Sequence, residues 1–179
     1  MTTDPEDIIR RAQAGDRDAF SRLVDDHYAT MYRFARRFCS SREDAEDVTQ
    51  QACIKLARSI GQFRFESAFS TWLYRLVINC ARDWQRARPP VRESEAPEPA
   101  AADSAEPAVM LAQVLAQVAA MGEGYRETVV LVLAEGLTHA EAADVLQVKE
   151  STVSWRLHEI RKRLAQQVPP GVDVCKTTN

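Results

Sequence analysis

The sequence predicts an all-α protein of two small helical domains joined by a flexible acidic linker. Apolar residues recur at spacings of three and four through most of the chain, and strand-like alternation is scarce. Ala, Leu, Arg, Glu and Gln, which favour helices, dominate the composition. Residues 89–107 interrupt this pattern, because they are rich in Pro, Ala, Ser and Glu and have no apolar periodicity. A length of 179 residues accommodates two such domains.

Residues 1–88 divide into four predicted helices. Asp4 caps the first helix, Pro5 occupies its first turn and Gly15 ends it. Asp16 or Asp18 begins the second, which has a long apolar stripe. The stripe comprises Phe20, Leu23, Val24, His27, Tyr28, Met31, Phe34, Ala35 and Phe38. We interpret His27, because it lies on this stripe, as a packed histidine rather than a ligand.

The third helix begins at Ser41, which forms a Ser-x-x-Asp cap with Asp44. Its apolar face comprises Ala45, Val48, Ala52, Leu56 and Ile60. Its other side is polar and carries Asp47, Gln50, Gln51 and Lys55. Such a face is either simply solvated or a docking surface, since carboxylates and amides at helical spacing can meet arginines of a partner.

The fourth helix lies within residues 63–88, and Ser70 is its predicted N-cap. Its apolar stripe is Phe69, Trp72, Leu73, Leu76, Val77, Cys80, Ala81 and Trp84, so both tryptophans are expected in the core. The opposite face carries Arg75, Asn79, Arg82, Asp83 and Arg86. These groups suit hydrogen bonding to bases and phosphates, and the loop rings of Phe63 and Phe65 suit stacking on unpaired bases. The alternative is an ordinary solvated helix face.

The second domain is predicted over residues 108–168, with a tail over 169–179. A first helix stops at Gly122. A second spans residues 125–135, and Gly136 caps its C-terminus. The predicted inward residues of that second helix are Val129, Val130, Leu133 and Ala134.

A short helix beginning at Thr138, with a capping box to Glu141, is followed by a tight turn and a longer helix from Glu150 or Ser151. This arrangement is the helix-turn-helix pattern of DNA-binding proteins, although a plain helical hairpin is the alternative. The longer helix is striped by Val153, Leu157, Ile160 and Leu164. Its outward residues are Ser151, Thr152, Ser154, Trp155, Arg156, His158, Glu159, Arg161, Lys162 and Arg163. Hydroxyls in the first turns suit bases, and the terminal basic cluster suits phosphates.

Composition limits the functions open to the chain. Its net charge of −3 conceals an acidic centre, because residues 89–108 carry one basic and five acidic residues. The four cysteines and three histidines show no metal-ligand spacing, so no metal is expected. No nucleophile–base pair or phosphate-binding loop is evident, so neither catalysis nor a cofactor is expected. No signal peptide or long apolar run predicts membrane insertion, and we expect a cytoplasmic protein.

Three segments together resemble a known family. They are residues 43–56, residues 69–86 and residues 136–164, which carry the polar third helix, the Asn- and Arg-bearing fourth helix and the helix-turn-helix. In this order and spacing they resemble the extracytoplasmic-function (ECF) class of bacterial sigma factors, in the sigma-70 family. The resemblance covers nearly all of residues 15–165.

The resemblance implies a role for each segment. The first segment would dock on core RNA polymerase through Asp47, Gln50 and Gln51. The loop and fourth helix would melt the promoter and read the single-stranded −10 element, with Phe63, Asn79 and Asp83 at the family's base-reading positions. The helix-turn-helix would read the −35 element in duplex DNA. The linker would lie near the RNA path, and an anti-sigma factor would hold the protein inactive.

The last helix departs from the family pattern. Ser154 and Glu159 stand where basic residues are common in the family, and Trp155 stands where a small residue is usual. The family's preference for a particular −35 sequence therefore does not carry over to this chain. Two alternatives therefore stay open. A conventional helix-turn-helix regulator would form a stable dimer, whereas a sigma factor would be monomeric when free. A sigma-like decoy would bind the anti-sigma factor without reading DNA. A redox switch based on the cysteines ranks below both.

Overall fold

The computed structural model describes residues 4–39, 41–87 and 105–167. Every regular element within these residues is a helix, which confirms the predicted fold class. The chain divides into two compact units, Met1–Val109 and Met110–Asn179. Residues 89–104 of the predicted linker, the tail after residue 168 and Cys175 lie outside the described residues. No helix in the described part of the chain is both long enough and apolar enough to cross a membrane.

The first unit contains helices α1 (Pro5–Gln13), α2 (Arg17–Arg36), α3 (Arg42–Ser59) and α4 (Phe69–Ala87), with a 3₁₀ turn at Ile60–Gln62 after α3. α1 packs on α2, and α2, α3 and α4 pack on one another. The predicted apolar faces of α2 and α3 supply the core, including Met31, Phe34, Val48 and Leu56. The aromatic ring of Phe34 packs between those of Phe38 and Tyr74, at centroid distances of 5.1 and 4.5 Å.

Side-chain caps fix where the first three helices begin. The carboxylate of Asp4 accepts a hydrogen bond from the Glu6 amide, and that of Asp16 accepts from Asp18 and Ala19. The Ser41 hydroxyl accepts from the Asp44 amide at 3.1 Å. These caps satisfy amide groups that have no partner inside the helix, so a short polar residue ahead of an apolar stripe sets each start. The sequence-based starts of these helices are confirmed.

His27 illustrates how the α2 stripe packs. Its ring is half-buried and meets Phe69 edge-on at a centroid distance of 5.2 Å. Burial lowers the pKa of His27, because a charged imidazolium loses hydration there. Tyr28, predicted on the same stripe, is 37% exposed, so the stripe is narrower than expected at this point.

Two expectations about α4 are wrong. Ser70 is not the N-cap, because α4 begins at Phe69 and the Trp72 amide bonds to the Ala68 carbonyl. The buried arc also differs from the predicted stripe, since Thr71, Tyr74 and Ile78 are buried. Trp72, Leu76 and Trp84 of that stripe are only half-buried, so neither tryptophan lies in the core as expected. α4 packs against both α2 and α3, which covers more of its circumference than one partner helix would.

Helix α5 (Ala105–Ala119) begins before the boundary at Met110, and the second unit contains the rest of it. The unit also contains α6 (Tyr125–Val129), a π-helical turn (Val130–Ala134), α7 (His139–Leu146) and α8 (Glu150–Gln167). α5 begins inside the predicted linker, which therefore ends before Ala105 rather than at residue 107. Packing of α6 and α7 against α8 buries a core that includes Leu131, Val145, Val153 and Leu157.

The π-helical turn changes which residues of the preceding segment face inward. Val130 and Leu131 are buried, whereas Leu133 is 65% exposed and Ala134 is exposed, contrary to prediction. A π-helical turn contains more residues than an α-helical turn, so it rotates the following side chains away from α-helical phase. Periodicity in the sequence did not indicate this insertion.

Gly124 is required by both its backbone and its surroundings. Its φ is +84°, and a methyl group there would collide with the Arg156 guanidinium. Replacing Gly124 with alanine is therefore expected to destabilise the second unit by about 1–2 kcal/mol, mainly through left-handed backbone strain, and to displace the flexible Arg156 guanidinium. Gly136→Ala is the matched control, because Gly136 has φ +72° but nothing within 4 Å. Amide hydrogen exchange in α8 measures both, and equal losses of protection would show that the Arg156 contact contributes nothing.

Candidate nucleic-acid interface

The polar face of α4 separates into exposed and half-buried members. Asn79, Asp83 and Arg86 are exposed, whereas Arg75 and Arg82 are half-buried. Successive spacings of four and three residues place the three exposed side chains on one side of the helix. An amide, a carboxylate and a guanidinium in a row can donate to and accept from the edges of unpaired bases.

An ion pair joins this face to α3. The Lys55 Nζ atom lies 2.8 Å from Asp83 Oδ2, with side chains 42% and 61% exposed. The hydrogen bond that Lys55 donates to the Asp83 carboxylate is the main cause that raises the pKa of Lys55. An exposed pair of this kind contributes at most about 1 kcal/mol, so it orients both side chains without locking them. Lys55 and Asp83 lie on two different predicted surfaces, and the structure brings them together.

Phe63 does not have the accessible ring expected of a loop residue. Its side chain is only 6% exposed, and its ring packs on those of Phe65, Phe69 and Trp72 at centroid distances of 4.9, 5.1 and 5.6 Å. The expectation that Phe63 is available for base stacking is therefore wrong for this conformation. A large apolar ring beside an apolar helix start is more stable buried than hydrated. Phe65, two residues on, is half-buried.

Two residues of α1, neither of them predicted from the sequence, also contact this loop. The Gln13 amide nitrogen donates to the carbonyl oxygens of Ile60 and Phe63 at 2.9 and 2.8 Å. The Arg10 guanidinium lies over the Phe65 ring, 4.2 Å from its centroid. No local sequence signal could have indicated these contacts, because about fifty residues separate the partners.

The docking surface predicted on α3 lies on one side of that helix. Asp47, Gln50 and Gln51 are exposed, and they lie opposite the fully buried Val48 and Ala52. Ile54 adds an exposed apolar side chain, with 43% of its surface accessible. A carboxylate, two amides and an exposed aliphatic group suit a protein partner better than a nucleic acid, because they offer no positive charge to phosphates.

The helix-turn-helix has both halves of the predicted capping box. The Thr138 hydroxyl accepts from the Glu141 amide at 3.2 Å, and the Thr138 amide donates to the Glu141 carboxylate at 2.8 Å. Hydrogen bonding from Thr138 lowers the pKa of Glu141. α7 ends at Gln147 in a left-handed conformation, with φ of 55°, and α8 begins at Glu150. The short turn joins α7 to α8, and the two helices pack on each other, as in DNA-binding helix-turn-helix pairs.

Most, but not all, of the predicted outward residues of α8 are accessible. The exposed members are Ser151, Ser154, Trp155, His158, Arg161, Lys162 and Arg163, and Thr152 and Glu159 are half-buried. Trp155 is 54% exposed, with its ring centroid 6.0 Å from that of Tyr125. The Ser154 hydroxyl is 2.9 Å from His139 Nδ1, so a residue of α7 orients it.

Arg156 corrects the sequence-based assignment. It is half-buried, its Nη1 donates to the Gly124 carbonyl at 3.5 Å, and its guanidinium lies 5.8 Å from the Tyr125 ring centroid. This side chain therefore ties α8 to α6 instead of pointing outward to bases or phosphates. Residues 124 and 125 precede Arg156 by about thirty positions, so spacing along α8 could not indicate the contact.

The three cysteines that the structure describes are free thiols. Cys39 and Cys80 are buried and Cys53 is half-buried. Burial raises the pKa of Cys53 and of Cys80, which favours the unreactive protonated form. Within residues 4–39, 41–87 and 105–167, no group of three or more His, Cys, Asp or Glu side chains is placed to hold a metal ion.

Two protein-family models match successive parts of this chain. Residues 23–89 match the family described as Sigma-70 region 2, and residues 111–164 match Sigma-70, region 4. The chain is 32% identical to the RNA polymerase sigma-H factor of Pseudomonas aeruginosa, over 95% of this chain and 97% of that protein. It is 36% identical to the ECF RNA polymerase sigma factor SigM of Mycobacterium tuberculosis, over 89% and 82%.

A solved structure has a similar fold. The structure of CnrH in complex with the cytosolic domain of CnrY superimposes with a TM-score of 0.68 at 26% identity, covering 89% of this chain and 94% of that one. The match extends over both helical units, as do the matches to the two relatives.

Proposed function

The chain belongs to the extracytoplasmic-function class of the sigma-70 family, and we propose from this membership how its residues direct core RNA polymerase to promoters. Its function is that of an RNA polymerase sigma factor. The observation that carries this conclusion is the occurrence of region 2 and region 4, in order, over two helical units. Sigma factors are transcription initiation factors, and the chemistry of RNA synthesis would remain with the polymerase.

The polymerase contact is assigned to the exposed side of α3. Asp47, Gln50 and Gln51 form its polar part, and Ile54 adds apolar area that is shielded from water in a complex. Lys55 lies at the edge of this surface and is paired with Asp83. We therefore assign Lys55 to orienting Asp83 as well as to the polymerase contact.

Reading of the single-stranded −10 element is assigned to α4. Asn79 and Asp83 would contact base edges, and Arg86 would contact the phosphate backbone, because all three are exposed on one side. Arg75 and Arg82 are half-buried and would support the backbone contact from the flank. Phe63 is assigned to the packing that holds the loop, not to stacking on a base.

Reading of duplex −35 DNA is assigned to α8. Its first turns offer hydroxyls and an indole to base edges, and its last turns offer three adjacent basic residues to phosphates. The proposed base-facing residues are Ser151, Thr152, Ser154, Trp155, His158 and Glu159. The proposed phosphate-facing residues are Arg161, Lys162 and Arg163. Glu159 can accept a hydrogen bond from cytosine but repels phosphate, which favours a −35 sequence of its own.

Control by an anti-sigma factor forms part of the proposal. CnrH, whose fold is similar, was solved in complex with the cytosolic domain of another protein. The exposed polymerase-binding and DNA-binding faces described above offer a protein inhibitor surfaces to occlude. The chain would act as a monomer in the cytoplasm, where it alternates between this inhibitor and core polymerase.

Run-off transcription tests the proposed function. Core polymerase with this protein, supplied with a library of bacterial promoter fragments, should give transcripts from a small subset that share −10 and −35 sequences. Core polymerase alone is the control, since it should give no specific transcript. Binding to core polymerase without any specific transcript would contradict promoter selection and favour a decoy.

A further inference from the structure

A contact between the two helices of the helix-turn-helix restrains one side chain of the surface assigned to −35 DNA. The Ser154 Oγ atom lies within hydrogen-bond distance of His139 Nδ1, at 2.9 Å, although fifteen residues separate them along the chain. Ser154 is exposed near the start of α8, whereas His139 is half-buried at the first residue of α7. An outward serine of α8 therefore already has a partner within the protein.

The position of His139 is set by the structure around it. The capping box between Thr138 and Glu141 fixes the backbone of the first turn of α7, which His139 begins. α7 packs on α8, and its buried side includes Ala142 and Ala143, whose small side chains permit a close approach of the two helices. The imidazole is thus presented to α8 from a fixed backbone, rather than from a loop.

This contact changes what Ser154 can offer to a base. A serine hydroxyl has one proton to donate and two lone pairs that accept, and it rotates to suit its partner. A serine without such a restraint can therefore contact either a hydrogen-bond donor or an acceptor in the major groove. Once its proton is donated within the protein, only the lone pairs remain for DNA.

The docking geometry of helix-turn-helix pairs indicates the direction of the hydrogen bond. The second helix enters the major groove, while the first helix crosses the phosphate backbone. A neutral imidazole has one N–H group, and the bond at one nitrogen sets the role of the other. A phosphate oxygen that accepts from Nε2–H of His139 leaves Nδ1 as the acceptor for the Ser154 proton.

We propose that His139 is a positioning residue that determines which base-pair orientation Ser154 reads. The proposal rests on the proposed function of α8. Ser154 donates to His139 Nδ1 and accepts from a base amino group, either N6 of adenine or N4 of cytosine. In each base pair the opposite base presents a carbonyl oxygen instead, which the Ser154 lone pairs repel. The contact therefore distinguishes A·T and C·G from T·A and G·C at one position.

Competition binding of holoenzyme to duplex −35 fragments tests the proposal, at about pH 8, where imidazole groups are ordinarily neutral. Each base pair of the fragment is varied in turn. The position read by Ser154 is the one at which Ser154→Ala abolishes the preference. Wild-type holoenzyme should favour one orientation of that pair by about fivefold, the value of one hydrogen bond. A base analogue without the amino group should weaken binding by the same factor, whereas an analogue without the opposite carbonyl oxygen should not.

Two replacements of His139 separate hydrogen bonding from packing. His139→Phe keeps an aromatic ring but has no nitrogen, so the Ser154 hydroxyl becomes free to rotate and the orientation preference should disappear. His139→Asn should retain the preference, because the amide oxygen of asparagine can take the place of Nδ1. Adding Ser154→Ala to His139→Phe should cause no further loss of preference, since both changes remove the same interaction. Helicity measured by circular dichroism is the folding control.

The outcomes distinguish the proposal from the function on which it rests. Wild-type holoenzyme that binds all duplexes alike would overturn −35 reading by α8. Sequence-specific binding that keeps its orientation preference in His139→Phe would overturn the role of His139 alone. A loss caused by the analogue without the carbonyl oxygen would show that Ser154 donates to DNA, and would likewise overturn this role. The same conclusion follows if Ser154→Ala changes the preference at no position.

Discussion

Replacing Asn79 with alanine is expected to lower run-off transcription from native promoters by about 10- to 100-fold while holoenzyme assembly remains unchanged. Asn79 is exposed on the α4 face, and its amide can donate to and accept from one base edge. A base contact of this kind contributes about 1–3 kcal/mol of discrimination. The loss should therefore depend on the base at one −10 position, which run-off assays on promoters substituted at each position will identify.

Gln51→Ala is the matched control for this prediction. Gln51 is an exposed amide of the same unit, on the surface assigned to polymerase. Its replacement should weaken assembly with core polymerase and leave base preference unchanged.

Asp83→Ala should alter the base preference at the −10 element less sharply than Asn79→Ala, because Lys55 already occupies one Asp83 oxygen. Loss of polymerase affinity in Asn79→Ala would instead assign that residue to the docking surface.

The second large effect is expected from replacing Arg161 and Arg163 together with alanine. Both are exposed in the last turns of α8, beyond the residues proposed to face bases. Two lost phosphate contacts should reduce the slope of log affinity against log salt by about 1.8, and affinity should fall on the order of tenfold. Titration of holoenzyme with duplex −35 DNA at several salt concentrations measures both quantities.

The decrease in the double variant should be similar for cognate and unrelated duplexes, because phosphates carry no sequence information. Gln166→Ala, at an exposed neutral position of the same helix, is the control and should change neither quantity. A loss confined to the cognate sequence, with the salt slope retained, would show that these arginines read bases instead.

Features that depend on neighbouring residues were predictable from the sequence. The caps at Asp4, Ser41 and Thr138 are confirmed, because each forms between residues two or three positions apart. The faces of α3 and α8 were likewise predictable, since an unbroken α-helix fixes the direction of every side chain. The same reasoning was wrong after Val129, where a π-helical turn changes the phase and exposes Leu133.

The site required tertiary information wherever its side chains meet across helices. A basic or aromatic residue on a predicted face can either project to a ligand or pack on the protein, and residue type does not distinguish these outcomes. Arg156 lies against Gly124, and Phe63 lies beneath Phe65 and Trp72, so neither presents the surface that its sequence position suggested. In both cases burying or pairing the group within the protein is more favourable than leaving it hydrated.

The sequence by itself determined that this chain is an all-α sigma factor, with an Asn- and Arg-bearing helix ahead of a helix-turn-helix. Helix periodicity and capping are local, and the three family segments lie in one linear order. Only the tertiary structure decided that Lys55 pairs with Asp83 and that α1 holds the loop ahead of α4. These contacts join residues that are 28 to 50 positions apart, so their formation depends on how the helices pack rather than on any one helix.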